Sequence, residues 1–346
     1  MTAASAAAPE AGHPYDQLTP DVVMDALASV GLYGDGRLMA LGSYENRVYQ
    51  LWLEEPHEGW GAVVAKFYRP ARWTDEQILE EHAFSAELAA DEVPAVAPFA
   101  IEGATLHHFA GFAFSVSPRR GGRTPELDDA EVLEWIGRFL ARIHIVGARK
   151  RFETRPALNV KTFGEDSRDW LVEHEAISLD VQSRWLALCN EALAIIADTA
   201  LGDRSGSGGD GGIRMLRLHG DCHPGNILWV PNEGPHFVDL DDARMGPAVQ
   251  DAWMLLSGER AQRQKQLGAI VDGYEEMREF DRAELALIEP LRTLRLIHYS
   301  AWLARRWEDP TFPINFPWFG TRDYWQGQVQ MLEEQIEQMR EPPLVA

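Results

Sequence analysis

Cysteine is almost missing from this chain of 346 residues, which has two, Cys189 and Cys222. So few thiols so far apart fit neither a disulfide framework nor a zinc site, and they suit a reducing cytoplasm. Long apolar runs are missing too: no stretch of about 18 uncharged apolar residues occurs, so no segment is expected to span a membrane. The opening MTAASAAAPEAG has neither a basic region nor an apolar core, and residues 1–17 are expected to form a flexible tail, not a signal peptide. Basic charge is scarce. Against 54 Asp and Glu stand 32 Lys and Arg, and the formal net charge of −22 argues against nucleic acid, which wants a basic surface. The acid surplus either serves solubility or favours a cationic phosphate acceptor. No internal repeat is evident, and no Gly-x-Gly-x-x-Gly run stands between the first two expected strands.

What is present concentrates in LRLHGDCHPGNILWV, Leu216–Val230, and HFVDLDD, His236–Asp242. A carboxylate at Asp221, an amide at Asn226 and a second carboxylate at Asp239 are the groups that ATP-dependent phosphoryl transfer needs. Magnesium is a hard cation that takes one or two carboxylates plus the phosphates, so Asn226 and Asp239 suffice as its protein ligands. Asp221 is then left to accept the proton of the attacking hydroxyl, with Asp239 completing the catalytic pair. Its spacing to Asn226 matches the D-x-x-x-x-N of a kinase catalytic loop. The apolar runs Ile227–Val230 and Phe237–Leu240, separated by Pro231, Asn232, Glu233 and Gly234, read as a hairpin with Asn226 and Asp239 at its open end. His219 is expected to be buried and to tie the loop to neighbouring backbone. His223 would orient the same loop, and Asp251 would hold its amides.

Upstream, GAVVAKFYRP reads as a β-branched strand with a single lysine, Lys66. That lysine either reaches solvent along its stem or grips the α and β phosphates of a nucleotide, and the downstream loop favours the second use. Thr74 followed by Gln77 is a capping box that opens a helix from Asp75 to about Ala90. Glu81, at the margin of its apolar stripe, is the expected partner of Lys66. Glu80 is the alternative, and solvation of both stays open. Between the first two strands, LGSYENRVYQ offers Gly42 for a turn and Ser43 for phosphate, with Asn46 and Arg47 as further donors. An ordinary hairpin turn would use the same residues.

The pattern predicts an α+β fold with two lobes. Residues 18–117 would form a small sheet-bearing lobe, with a helix from Thr19 and Pro20 to Gly31 and strands near 37–41, 46–53 and 61–68. The interlobe hinge is placed at Ser115–Ser117, where backbone groups would read an adenine edge. Residues 118–346 would be mainly helical, beginning with a helix capped at Asp128 and ending with helices near 259–277, 282–307 and 322–339. The glycine-rich 202–212 reads as a flexible surface insert. Asp241 is a candidate for a second magnesium or a cationic acceptor. Aromatics from Trp302 to Trp318, with Arg305, Arg306 and Asn315, are candidates for the acceptor wall. Cys222 reads as a packed side chain.

With these residues in view, HGDCHPGN, FVDLDD, VVAK and the glutamate helix resemble the aminoglycoside phosphotransferase and choline kinase branch of the protein-kinase-like fold. Longer strings such as VVAKFYRPARWTDEQILEEH and RRWEDPTFPINFPW are similar to a bacterial group of cytoplasmic serine/threonine protein kinases within that branch. The resemblance runs from about Leu18 to Pro343. It implies ATP and Mg2+, Asp221 as proton acceptor, Asn226 and Asp239 on the metal, Ser43 at the nucleotide, and a monomer that phosphorylates Ser or Thr of proteins in a stress response. Asp-Phe-Gly and a long activation segment are missing, since Gly246 and Pro247 follow Asp239 closely, so regulation through such a segment is not expected. A kinase of small hydroxyl compounds and a non-catalytic nucleotide-binding module remain as alternatives. The intact set of Lys66, Asp221, Asn226 and Asp239 speaks against the latter.

Overall fold

The computed structural model describes residues 13–202 and 213–346, so most of the expected tail and nearly all of the expected insert lie outside the described residues. Thr19 caps helix α1 (Pro20–Ser29), whose Val23, Ala26 and Leu27 are buried beneath the sheet that follows. That sheet is antiparallel, in the order β1-β2-β3-β5-β4. Its strands are β1 (Gly34–Ala40), β2 (Arg47–His57) and β3 (Trp60–Phe67), then, after helix α2 (Asp75–Ala90), β4 (His107–Phe109) and β5 (Phe112–Pro118). In β3, Val63, Ala65 and Phe67 are buried in the small core. The period of two therefore sends Lys66 to the other face, away from that core.

Helix α2 starts where its capping box predicts. Thr74 Oγ1 accepts from Gln77 N at 3.3 Å, and Gln77 Oε1 accepts from Thr74 N at 3.0 Å. Its Phe84 and Leu88 pack into the larger hydrophobic core, whereas its His82 bonds back toward the sheet-bearing part. Its polar inner residues are satisfied locally: His82 Nε2 meets the Tyr68 hydroxyl at 2.7 Å, and His82 Nδ1 meets Thr105 Oγ1 at 2.8 Å.

The carboxyl-terminal part is mainly helical. It runs through α3 (Ala130–Gly147), α4 (Asp166–Glu173), α5 (Gln182–Ala197), the short strands β6 (Leu216–Leu218), β7 (Ile227–Val230), β8 (Gly234–Phe237) and β9 (Arg244–Gly246), and then α6 (Val249–Trp253), α7 (Arg260–Glu275), α8 (Ile288–Arg305), α9 (Thr311–Asn315) and α10 (Arg322–Arg340). Helices α3 and α7 cross at glycines. A Cβ on Gly137 would lie 2.0 Å from the Ile270 carbonyl oxygen, and one on Gly273 would lie 2.0 Å from that of Glu134. No larger residue fits that approach.

Several elements differ from the sequence reading for identifiable reasons. The cap of α3 is Asp129, whose side chain accepts from Glu131 N, and not Asp128. The expected helix 282–307 is split into a 3-10 stretch Arg282–Leu287 and α8, with Pro290 in the first turn of α8, where its missing N–H costs nothing. The second hairpin strand ends at Phe237, and Leu240 lies in a 3-10 turn, because the chain turns sharply at Asp239. The expected hinge Ser115–Ser117 is inside β5: Ser115 and Ser117 pair with Lys66 and Val64, and the Val116 carbonyl accepts from Phe99 N at 2.8 Å. With those groups engaged in β5, the chain leaves the sheet through 119–123, where Arg123 exchanges backbone hydrogen bonds with Trp229. We propose the divide between the lobes at residues 117 and 118 on this basis.

Burial, and after it the nearby Lys66 ammonium, holds the His82 imidazole down to about 3 from its ordinary 6.5. The unfolded chain takes up a proton as pH falls through about 6.5 that the folded chain refuses until about 3, so stability drains away across that window. By pH 5 the loss from this group is about 2 kcal/mol. His82→Gln should therefore narrow the drop in unfolding free energy between pH 7 and pH 5 by about 2 kcal/mol. Urea unfolding at the two pH values measures it, and an equal drop in both proteins would refute the assignment.

Candidate active site

Strand β6 delivers the chain into the loop His219–Asn226. Gly220 turns it with φ +85°, and a Cβ there would stand 2.2 Å from the Asp242 carbonyl oxygen, so both the conformation and the space demand glycine. Two inward-pointing amides follow from that turn. Asp251, fully buried at the start of α6, accepts from His219 N and Gly220 N at 2.9 Å each and contacts His144 Nε2 at 3.1 Å. Burial pushes its carboxyl up, but the His144 bond and the Gly220 amide outweigh that and bring it below the usual carboxylate range. His219 is buried and its Nε2 reaches the Val238 carbonyl at 2.9 Å, which ties the loop to the hairpin as expected. Cys222, also buried, is a packed thiol whose pKa burial raises well above the ordinary value.

On the outer side of this loop Asp221 lines the cleft. Its Oδ1 forms an ion pair with Arg295 Nη1 at 2.7 Å, and its Oδ2 lies 3.5 Å from His223 Nε2. Asn226 Nδ2 donates to the Asp221 carbonyl at 2.9 Å, which leaves the amide oxygen as the end offered to a cation. The hairpin pairs Ile227 with Phe237, and Val238 N donates to the Asn226 carbonyl at 3.0 Å. Asn226 and Asp239 are therefore neighbours at its open end. Asp239 itself sits at φ 60°, ψ 64°, an uncommon left-handed conformation for a residue other than glycine.

Lys66 Nζ crosses from the sheet to Asp239 Oδ1 at 2.6 Å. Burial would lower the ammonium pKa, but Asp239 and Asp241 hold it well above the ordinary lysine value. The expected Lys66–Glu81 ion pair is not formed. Glu81 is buried nearby and accepts from Ser85 Oγ at 2.9 Å, and burial raises its carboxyl pKa despite the attraction of Lys66 and Arg155. The reason is geometric: Asp239 presents its carboxylate directly to the lysine, whereas Glu81 is turned back along its own helix. Glu80 is not the partner either. Its carboxylate accepts from the backbone amides of Glu153, Thr154 and Arg155 at 2.6, 2.9 and 2.9 Å.

A cleft of about 620 Å³ gathers Ser43, Asp221, Asn226 and Asp239 with a wall from α8. Asn46 and Arg47 are not available to phosphate. Asn46 is spent on Asp241 and the Arg69 amide, and Arg47 on Asp309. Asp241 is buried and paired with Arg72, so it is not a free ligand for a second metal. Asn315 is exposed and bonds back to the Thr311 carbonyl, away from the acceptor wall, whereas Trp302, Arg305 and Arg306 do line the cleft. Sequence reasoning missed Arg72 and Arg295. The spacing Arg295, His298, Tyr299, Trp302, Arg305 and Arg306, a polar and aromatic stripe at helical period, was the available signal for α8.

A model of the phosphotransferase enzyme family matches residues 38–288. Stress response kinase A of Shigella flexneri is 46% identical over 330 residues, covering 95% of this chain and 96% of that protein. The serine/threonine protein kinase RdoA of Salmonella typhimurium is 44% identical over the same shares. The solved structure of the amicoumacin kinase hAmiN in complex with AMP-PNP, Ca2+ and Ami aligns with a TM-score of 0.69 at 17% identity, covering 94% of this chain and 95% of that one, a likeness of fold. With its small sheet-bearing part, its helical part and the loop between them, the chain belongs to the phosphotransferase enzyme family and is a kinase of the protein-kinase-like fold.

Proposed function

We propose that this protein is an ATP- and Mg2+-dependent kinase that phosphorylates serine or threonine hydroxyls of proteins, as a cytoplasmic monomer serving a stress response. The observation that carries the reading is the meeting of Lys66 with Asp239 beside Asn226 and Asp221 around one cleft. The relative at 46% identity is named a stress response kinase, and the one at 44%, named a serine/threonine protein kinase, supports this class of acceptor. Both thiols are free and buried, in keeping with a reducing compartment.

The donor set fits magnesium. Asp239, its side chain 43% exposed, and the amide oxygen of Asn226 are oxygen ligands, and among the described residues no group of three His, Cys, Asp or Glu could hold a metal without help. An ion that takes one carboxylate plus phosphates suits that sparse set. When bound, it neutralises charge on the transferring phosphates. Lys66 would bind the α and β phosphates, Ser43 would cover them from the turn after β1, and the segment 118–123 would meet the adenine edge. Glu81 would bias Lys66 electrostatically from its buried position. Asp221 would take the proton of the acceptor hydroxyl as the new O–P bond forms and the bond from the γ-phosphorus to the β-phosphate bridging oxygen breaks, releasing ADP. Arg295 holds that carboxylate in position.

A small hydroxyl compound as acceptor is the second reading, since a cleft of about 620 Å³ is of a size that takes such ligands. Incubation with γ-labelled ATP plus a cell lysate and a metabolite panel separates the two: label in small molecules alone would overturn the protein-kinase reading. Asp221→Ala should lower kcat at least about a hundredfold, the usual scale for a positioned base, while the affinity for a Mg2+-ATP analogue stays within about twofold. Unchanged turnover would sink the base assignment. Asp251→Asn turns one acceptor oxygen into a donor facing a backbone N–H or the His144 ring. It should cost about 2–4 kcal/mol of stability and lower kcat more than it raises the KM for ATP. Chemical unfolding and steady-state kinetics on the same preparation check both parts.

A further inference from the structure

Helix α8 turns one face to the cleft, and the charge on that face is of one sign. From Pro290 to Arg306 the chain carries four arginines and no Asp or Glu. Three of them, Arg295, Arg305 and Arg306, line the cavity together with Tyr299 and Trp302.

The carboxylates of the same cavity are all engaged. Glu45 holds Arg306 at 2.5 Å and Arg69 at 3.0 Å, Asp221 holds Arg295 at 2.7 Å, and Asp239 holds Lys66 at 2.6 Å. Asp241 pairs with Arg72, and Asp242 with both Arg72 and Arg244. A cationic acceptor would have to displace a guanidinium, or the Lys66 ammonium, from one of these partly buried pairs and leave that cation uncompensated, which is costly. The idea that the acidic surplus of the whole chain draws a cationic acceptor therefore fails at the site itself.

The arginines are less fully engaged. Among the described residues Arg305 has no carboxylate within ion-pair distance: its Nη2 donates to the Asp166 carbonyl at 3.1 Å and its guanidinium lies 5.4 Å from the Trp170 ring centre. Arg295 has Asp221 as its single carboxylate partner there, and a guanidinium carries five N–H donors. Both retain donors suited to carboxylate or phosphate oxygens.

We propose that the phosphate acceptor is an anionic molecule, with one carboxylate or phosphate beside its hydroxyl bound by Arg295 and a second bound by Arg305. This rests on the reading of Asp221 as the proton acceptor, because Arg295 marks the hydroxyl position only through that contact. Ten residues of helix separate the two arginines by about 15 Å. An extended peptide covers that span in about four or five residues. In a protein acceptor the requirement becomes an acidic residue next to the Ser or Thr and another four or five positions away, with Tyr299 and Trp302 walling the stretch between.

Two panels test this with γ-labelled ATP and the full-length enzyme. One holds serine peptides of equal length with Asp, Ala or Lys at the adjacent and fourth positions. The other holds hydroxy acids and amino alcohols of matched size. Anionic members should react with a kcat/KM at least tenfold above that of cationic ones in whichever panel is phosphorylated. In Arg305→Glu that preference should fall at least tenfold through KM, with binding of a Mg2+-ATP analogue retained as proof of folding. Preference for cationic or neutral members, or no transfer to any anionic member, would overturn the proposal, and an unaltered preference in Arg305→Glu would remove that residue from it. Transfer confined to the small-molecule panel would end the protein-kinase reading while still reporting the charge preference. The two readings therefore fail separately.

Discussion

Two backbone N–H groups, those of His219 and Gly220, face the interior, and a buried donor must find an acceptor there. Asp251 supplies both oxygens, and His144, itself in contact with the Tyr274 hydroxyl at 3.1 Å, steadies the carboxylate from behind. The conformation of the loop follows. With Gly220 fixed at positive φ, Asp221 emerges on the cleft side, its carbonyl receives the Asn226 amide, and Asn226 in turn receives the hairpin backbone. The geometry of the candidate site is thus set by a carboxylate that lines no part of the cleft.

The segment after Asp239 is held just as firmly. Residues 240–248 lead directly to α6, and what they carry is neutralised from both halves of the molecule: Arg72 reaches Asp241 and Asp242, while Arg155 Nε donates to the Ala243 carbonyl at 2.6 Å and its Nη1 to the Gln77 carbonyl at 2.9 Å. Helix α2 is fastened by the same means. Glu80 receives three amides of the 153–155 turn, and Glu87 pairs at 2.7 Å with Arg217, a buried side chain that also stacks 4.5 Å from Phe84. Arg217 is the buried member of that pair, so removing Glu87 would leave its guanidinium without this carboxylate partner. In kinases where an activation segment positions the glutamate helix, that helix must be free to swing. Here it is bolted at both ends, which agrees with the shortness of the 240–248 segment.

How much of this was legible in the sequence follows from range. The capping box at Thr74 and Gln77, the alternation in β3 and the loop motif around Asp221 are local signals, and each fixed its element closely. The partner of Lys66 was not legible, because choosing between Glu81 and Asp239 requires knowing how far the hairpin reaches back toward the sheet. The αL turn at Asp239, which ends the strand early, was hidden for a related reason: nothing in Val-Asp-Leu announces it, and the tertiary contacts that hold it come from elsewhere. Asn46 and Arg47 looked like phosphate donors for want of Asp241 and Asp309, which lie far along the chain. Ser115 looked like a hinge because pairing on both sides of β5 is invisible until Phe99 is seen to occupy its edge.

Charge makes the same distinction between what composition states and what geometry decides. A net charge of −22 describes the surface as a whole, and its field is screened within about a Debye length, roughly 8 Å at physiological salt. Inside the cleft the relevant quantity is which charges remain unspent. Five carboxylates there each hold a cation, so their contribution to an incoming ligand is small, while Arg295 and Arg305 of α8 line the same space and keep guanidinium donors not spent on carboxylates. Long-range repulsion and short-range attraction then act on an anionic acceptor in sequence: the first slows encounter, and the second selects among molecules that arrive. An acceptor that brings both a hydroxyl and a carboxylate satisfies Arg295 as it loosens the grip of that arginine on Asp221. The base would be released to accept a proton at the moment the hydroxyl is in place.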